Sequence, residues 1–389
     1  MLADRILAVE RSPFYSIMDL AAGRKDCIYL QLGEPDFTTP AHILEAAKKA
    51  LDEGFTHYGP DRGVPELRQL IAEKIEQDHG AKYDWQNELL ITAGGQSALH
   101  VAVMATANPG DEIIILVPYY PPYLANAQLA GAKAVFVELK SENDFIPDPA
   151  AIERAITPKT KAMVVLSPNN PTGAIYPEDV LGEIVKIAQK HNVTIIADEV
   201  YDSFVYSDAQ YKSLVSFPGA KDVVVQVNSF SKGYAMTGLR VGYLAASKER
   251  LLQFLKYHHT VNICANVPSQ KACITALTGP QDCVKEMKAA YLKRRDVAVA
   301  GLNDIPGVHC FMPQGAFYAF ADIRELGVSS LDLVQYLVKE AGVVLTNGSG
   351  FGCEGFIRVS YAADIAKIQE AMDRMKKAIV KMPSSLKKG

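Results

Sequence analysis

The sequence predicts a doubly wound α/β core joined to a smaller α+β lobe. Two observations carry this. Short, wholly apolar runs recur between about residues 88 and 246 with helix-like stretches between them, and past residue 280 a long charged helix and two short strand candidates replace that pattern. Strands covered on both faces must be apolar throughout, which is what a parallel sheet flanked by helices requires. The length agrees, because single cores rarely grow past about 250–300 residues and this chain has 389.

The elements follow in order. Glu88–Thr92 is the first apolar run, and Gln96–Ala107 reads as the helix after it; Glu112–Val117, Ala162–Leu166, Thr194–Asp198 and Val223–Val227 are the later runs. Pro177–His191 reads as a crossover helix, since proline suits a helix start and Val180, Ile184, Ile187 and Ala188 share one face. Beyond the core, Gln281–Leu302 carries Lys285, Lys288, Lys293, Arg294 and Arg295 on a helical pattern, and Asp364–Met382 reads as a final helix. The N-terminal stretch has no partner helices of its own and is expected to return to the second lobe. The expected division is therefore a large domain over 45–280 and a small one built from 1–44 and 281–389. The tail from Pro383 to Gly389 is expected to be disordered.

Composition narrows the function. A net charge of −4 gives no broad basic surface, so no nucleic-acid partner is expected. The six cysteines (Cys27, Cys264, Cys273, Cys283, Cys310, Cys353) show neither a C-x-x-C pair nor regular spacing, which signals no metal site and no disulfide framework. Reduced thiols fit a cytoplasmic protein. The segment Met1–Arg11 is interrupted by charges and no later run approaches a membrane span, so neither a signal peptide nor a membrane anchor is expected.

Ligands of α/β proteins sit beyond the carboxyl ends of the strands, and here those ends hold an unusual set. Lys232 follows the run Val223–Val227 in Ser229-Phe230-Ser231-Lys232, an amine at a strand end beside two hydroxyls, suited to Schiff-base chemistry. Asp198, in Asp198-Glu199-Val200-Tyr201, ends a buried strand; such an acid is either salt-bridged for structure or paired with a ligand's positive nitrogen. Asn170, in Ser167-Pro168-Asn169-Asn170-Pro171-Thr172-Gly173, offers an amide, though alone this stretch reads as a plain turn. The step Thr92-Ala93-Gly94-Gly95-Gln96 opens a helix whose free N–H groups suit a phosphate, and Arg240 supplies either a bidentate partner for it or an ordinary salt bridge. Taken together they describe one ligand: a phosphate at Gly95, Gln96, Ser229 and Arg240, a cationic ring nitrogen at Asp198, a ring oxygen near Tyr201 and Asn170, and an aldehyde on Lys232. Pyridoxal 5'-phosphate carries all four groups.

At these residues the sequence resembles the fold type I, class I/II aminotransferases of the aspartate aminotransferase family. The resemblance runs through Leu32-Gly33-Glu34-Pro35-Asp36-Phe37, Tyr58 before Gly59-Pro60, Ser167–Gly173, Asp198–Tyr201, Ser229–Lys232, Arg240, Gln314-Gly315-Ala316-Phe317-Tyr318 and Ile357-Arg358-Val359-Ser360. It implies a large domain with a mainly parallel, seven-stranded-type sheet covered by helices, and a smaller α+β domain. It implies that Lys232 tethers the cofactor through a Schiff base and then moves the proton, with Asp198 and Tyr201 as its catalytic partners in a ping-pong transfer between an L-amino acid and a 2-oxo acid such as 2-oxoglutarate. Gly94, Gly95, Gln96, Ser229, Ser231 and Arg240 would surround the phosphate, and Tyr120 would stack on the ring or pack into the core. At Gln96 relatives often carry serine, threonine or lysine. Arg358 would fork onto the substrate α-carboxylate with Gly33 and Asn170 beside it, and Tyr58 would reach the phosphate of a neighbouring subunit in a homodimer with shared active sites.

Two further readings use the same residues: a carbon–sulfur β-lyase on the same fold, and a non-catalytic regulator that binds the cofactor, which would call for a DNA-binding segment for which this chain offers no room. A nicotinamide dehydrogenase would need a G-x-G-x-x-G turn after its first strand, which is absent. For the substrate side chain the resemblance points to the N-terminal segment, to the stretch Tyr119–Tyr123 and to residues of a second subunit; the N-terminal candidates are Ser12, Phe14, Tyr15, Ser16 and Ile17, and no dedicated second arginine can be placed. That favours an aromatic, alanine-type or broad specificity over strict use of aspartate.

Overall fold

The computed structural model describes residues 2–9, 14–206 and 211–386. Seven strands form its large sheet: β1 (Leu89–Thr92), β2 (Glu112–Val117), β3 (Lys133–Glu138), β4 (Thr160–Leu166), β5 (Thr194–Asp198), β6 (Val224–Ser229) and β7 (Gly242–Ala245). Their spatial order is β1-β7-β6-β5-β4-β2-β3. Strand β7 runs antiparallel to both neighbours, and the other pairings are parallel.

Side-chain alternation explains why these strands are apolar along their length. In β2, Ile113 and Ile115 enter one core while Ile114 and Leu116 enter the other. In β4, Val164 and Met163 divide in the same way. Both faces are therefore dry, and helices cover them, among them α1 (Gly95–Thr106) and α2 (Glu178–His191). Helix α2 starts directly after Pro177, carries Glu178 and Asp179 in its first turn and Lys190 and His191 in its last, and ends at Asn192 in the left-handed region (φ 53°). Each charge complements the helix dipole.

Register places the chemistry on one edge. Leu166 pairs with Asp198 and Asp198 with Val227, so the segments leaving β4, β5 and β6 emerge side by side. Gly242 pairs with both Thr92 and Ser229, which brings the β1–α1 turn and the segment before β7 to the same edge.

A second, antiparallel sheet of β8 (His309–Cys310), β9 (Tyr318–Asp322), β10 (Thr346–Asn347) and β11 (Phe356–Ser360) runs in the order β10-β11-β9-β8. The N-terminal segment returns to this region: Ile28–Tyr29 pairs in parallel with Val343–Val344, and the Ser360 N–H donates to the Leu30 carbonyl at 2.7 Å. Gln31 and Gly33 are thereby carried toward the large sheet.

Two strands of the large sheet escape the sequence reading. β3 lies at the sheet edge and is only partly covered, with Lys133, Phe136 and Glu138 exposed, so it lacks a continuous apolar signal. β7 is four residues long and spends two of them on glycine and alanine. At the tail, Ser384–Leu386 forms a 3-10 turn, while 387–389 lie outside the described residues.

Candidate active site

Beyond the shared strand edge lies a cavity of about 340 Å³, which opens into a second of about 650 Å³; Lys232, Asn170, Tyr120, Tyr201, Gln96 and Gly33 line both. Lys232 arrives there by local chemistry. Ser229 ends β6 and caps the short helix Phe230–Gly233, its Oγ accepting from the Ser231 N–H at 3.1 Å and donating to the Val241 carbonyl at 3.1 Å. Its hydroxyl also lies 2.9 Å from that of Ser231. One turn on, the Lys232 Nζ donates to the Gly33 carbonyl. Burial pulls the amine down to about 8; Arg358 and Arg240 pull the same way, and Glu34 and Asp198 oppose them. A useful fraction is thus neutral, and nucleophilic, near physiological pH.

Asp198 is buried at the end of β5. Burial raises its carboxyl to about 6, with adjacent Glu199 adding to the rise; the Tyr123 hydroxyl, the Val200 N–H and Lys232 favour the anion. The Tyr123 hydroxyl donates to Oδ2 at 2.8 Å, and the Val200 N–H reaches Oδ1 at 3.4 Å. Among the described residues no cation lies within ion-pair distance of Asp198. A buried carboxylate held by neutral donors is electrostatically suited to a cationic guest.

The opposite end favours an anion. Helix α1 begins at Gly95 with its free N–H groups at the cavity edge. Gly94 has φ 85°, and a Cβ there would stand 2.4 Å from Nη2 of Arg240, so only glycine lets the guanidinium lie against the turn. Arg240, itself in the left-handed region at φ 52°, spends its Nη1 on the Thr237 carbonyl at 2.9 Å and Nη2 on the Ala93 carbonyl at 3.5 Å. It has no acidic partner among the described residues. The Ser229 and Ser231 hydroxyls complete this end, and the exposed side chain of Gln96 stands over it.

Arg358 faces the second cavity from β11. It is buried, donates from Nη1 to Asn170 Oδ1 at 2.8 Å and from Nη2 to the Gln31 carbonyl at 2.6 Å, and lies 4.4 Å and 4.8 Å from the ring centres of Tyr318 and Phe351. Its Nε makes no hydrogen bond, and no acid pairs with it among the described residues. A planar cation fixed between two rings and short of acceptors suits a carboxylate. Tyr201 is buried beside it, its hydroxyl 2.7 Å from that of Tyr318 and its ring 5.8 Å from the Lys232 amine.

The structure thus gathers Gly33, Gly94, Gly95, Gln96, Tyr120, Asn170, Asp198, Tyr201, Ser229, Ser231, Lys232, Arg240 and Arg358 around two joined cavities. Tyr58 stands apart: it is 81% exposed and lines a different hollow, with His57, Cys264 and Val267. Of the N-terminal substrate candidates, Ile17 is a core residue, fully buried, because it faces inward from the helix Phe14–Ala21. Ser12 and the side chains of Phe14, Tyr15 and Ser16 lie outside the described residues. The sequence alone assigns no role to Tyr318, Thr346 or Phe351, and places Tyr123 only in the stretch expected to face the substrate side chain; Tyr318 lies inside a recognised motif, whereas Thr346 and Phe351 carry no local signal.

The pieces fit pyridoxal phosphate, since an anion cradle, a buried carboxylate without a cation and a partly neutral lysine lie around one cavity. Fold and site together define the class: a fold type I enzyme whose cofactor is pyridoxal phosphate and whose substrate carries a carboxylate. The profile of the family described as "Aminotransferase class I and II" matches residues 25–375. The chain is 39% identical to the aspartate aminotransferase of Pyrococcus horikoshii over 97% of each chain. It is 39% identical to aromatic-amino-acid aminotransferase 2 of Thermococcus litoralis, over 97% of this chain and 98% of the relative. Among solved structures, the aspartate aminotransferase of Rhizobium meliloti superimposes with a TM-score of 0.94 at 34% identity, covering 98% of this chain and 99% of the other. This chain belongs to the class I and II aminotransferases, pyridoxal-phosphate-dependent enzymes of amino acid metabolism.

Proposed function

We propose that Lys232 carries the cofactor and moves the proton while Asp198, Arg240 and Arg358 hold its ring, its phosphate and the substrate carboxylate. The observation that carries this reading is the position of Lys232, with its amine lowered to about 8, in the wall shared by the two cavities. When bound, pyridoxal phosphate supplies an aldehyde and an electron-withdrawing ring that stabilises negative charge on the substrate α-carbon. The chain supplies the rest. Arg358, with Gly33 and Asn170 beside it, orients the substrate by its α-carboxylate. The Lys232 Nζ takes the α-proton and returns it on the other side of the transfer, acting as general base and then general acid. Asp198 would pair with the ring nitrogen and favour its protonated form, Tyr201 and Asn170 would hold the ring oxygen, and Tyr120 would pack against the ring. Gly94, Gly95, Gln96, Ser229, Ser231 and Arg240 anchor the phosphate.

The donor is an L-amino acid and the acceptor a 2-oxo acid such as 2-oxoglutarate. An uncharged, aromatic or alanine-type side chain is favoured, because the larger cavity is lined by Tyr119, Tyr120, Leu124 and Phe351, and among the described residues the cations that line it are Lys232 and Arg358. A distal carboxylate would meet the amides of Gln96 and Gln128 or a group from a second subunit. We propose a homodimer with shared sites; Leu51, Phe55 and Tyr58 are exposed at the hollow that holds Tyr58, an apolar surface that a second copy would cover. The proposed organisation is a cofactor-holding domain over 45–280 and a smaller one from 1–44 and 281–389. The six cysteines are free thiols, in keeping with work in the cytoplasm.

The test is spectral and chemical. The purified protein should be yellow, lose that absorbance on borohydride treatment, and form amino acid from 2-oxoglutarate and a donor. Colourless protein that cannot be reconstituted with pyridoxal phosphate would refute the reading.

A further inference from the structure

We infer that Gly350 determines the size of the substrate side chain: by withholding a side chain from the wall of the larger cavity, it leaves room for an aromatic ring beside the anchored α-carboxylate. This rests on the reading of Arg358 as the partner of that carboxylate.

Three glycines stand in the stretch Gly348-Ser349-Gly350-Phe351-Gly352, and local structure accounts for two of them. A Cβ on Gly348 would run into the carbonyls of Cys353 and Phe356. Gly352 lies in the left-handed region at φ 74°, and a Cβ there would stand 2.5 Å from the ring of Tyr119. Gly350 has neither reason. Its φ lies outside that region, and among the described residues the atoms nearest an added Cβ would be the side-chain amide of Asn347, at 3.8 and 3.9 Å, an ordinary contact. A glycine that backbone and packing both leave optional only adds to the entropy lost on folding. What Gly350 borders is the larger cavity, with Ser349 and Phe351 on either side of it in the wall.

That wall is held from several directions. The Tyr119 N–H donates to the Phe351 carbonyl at 3.0 Å, and the Tyr119 ring stacks on Phe136 with centroids 5.5 Å apart. The Ser349 N–H reaches the Ser330 hydroxyl at 3.3 Å; the Glu354 carboxylate in turn accepts from the Ser330 N–H at 2.6 Å and from its hydroxyl at 2.8 Å. The Asn347 amide donates to the Ser349 hydroxyl. A side chain added at position 350 would therefore occupy space and not be carried away by a yielding backbone. That space lies close to the anchor, because the next residue, Phe351, has its ring centre 4.8 Å from the Arg358 guanidinium. Tyr119, Tyr120 and Leu124 continue the wall, so a substrate ring finds aromatic edges and faces to pack on. The methyl group of alanine would leave most of the 650 Å³ empty.

The experiment compares wild-type holoenzyme with Gly350→Ala and Gly350→Leu, with phenylalanine and alanine as donors and 2-oxoglutarate as acceptor. Since one methylene group in an apolar pocket changes discrimination about 10–200-fold, the ratio of kcat/KM for phenylalanine to that for alanine should fall about tenfold or more in Gly350→Leu, and about threefold to tenfold in Gly350→Ala. A titration without turnover reads the same wall. The probe is 3-phenylpropionate, which has the carboxylate and the ring but no amine; its half-saturation, followed by the cofactor absorbance, should rise about tenfold or more in Gly350→Leu. Thermal melting checks that each variant folds, and Gly350→Ala carries the test should Gly350→Leu not fold. A donor ratio within about twofold of wild type in the folded variants, or a wild type that uses alanine and rejects phenylalanine, would overturn the inference. If Arg358→Gln binds 3-phenylpropionate as wild type does, the reading of Arg358 falls and the inference with it; if only the Gly350 variants match wild type, that reading stands and the role of Gly350 does not.

Discussion

Arg358 donates from Nη1 to Asn170 Oδ1 at 2.8 Å, joining the small sheet to the segment that leaves β4. Neither residue is near the other in sequence, and the bond sets where the guanidinium fork points. Arg358→Lys should therefore raise KM for the amino acid substrate about tenfold to a hundredfold, the effect of losing one charge-assisted bond of about 1.5–3 kcal/mol. Cofactor affinity should be almost unchanged. Steady-state kinetics beside a pyridoxal phosphate titration separates the two effects.

Lys232→Ala should reduce turnover by more than the about 10²–10⁴ usual for a single acid–base group, since tether and proton carrier disappear together. Cofactor that still binds should wash out after borohydride treatment instead of remaining fixed to the chain. Near-native turnover would remove Lys232 from the mechanism.

The pH dependence of cofactor attachment follows from the lowered Lys232 amine. A lysine that loses its proton at about 8 rather than 10.5 has roughly a tenth of its molecules neutral at pH 7. The neutral form is the nucleophile, so attachment of pyridoxal phosphate to apoprotein should speed up about tenfold per pH unit below that value and level off above it. Stopped-flow absorbance across pH 6 to 10 measures this, and a midpoint near 10 would contradict it.

Gly94→Ala tests the anion cradle. With φ at 85° and Arg240 2.4 Å from any added Cβ, the substitution strains the backbone and displaces the guanidinium. Stability should fall by about 1–3 kcal/mol, and cofactor affinity should fall with it. Denaturant unfolding of the apoprotein and a phosphate-competition titration report the two losses.

Tyr58→Ala should leave the melting temperature of the isolated chain almost unaltered, because the side chain is exposed. If a second copy places Tyr58 at its cofactor phosphate, the variant should weaken cofactor binding and shift the sedimentation profile toward monomer. A wild-type-like profile and affinity would argue against the shared site.

Much of this protein was legible locally. The apolar runs ending in Leu166, Asp198 and Val227 announce buried parallel strands because both faces of such strands must be dry, and the residues after them carry their chemistry in a few consecutive letters. β3 was not legible, since an edge strand with Lys133, Phe136 and Glu138 exposed carries no continuous apolar run. Ile17 misled for a related reason: an apolar residue before the motif region suits a pocket or a core equally well, and only packing distinguishes them.

The sequence by itself determined the kinds of groups present, an amine, an acid, an arginine pair and a glycine turn at strand ends, because each is specified by neighbours a few residues away. Tertiary structure decided their relations: that Tyr123 takes one oxygen of Asp198, that Tyr318 and Phe351 flank Arg358, and that Gly94 lies under Arg240. Tyr123 and Asp198 are 75 positions apart, and Asn170 and Arg358, also joined, are 188. Strand register and the return of the N-terminal segment bring such residues together, and neither is written in any short stretch of the chain.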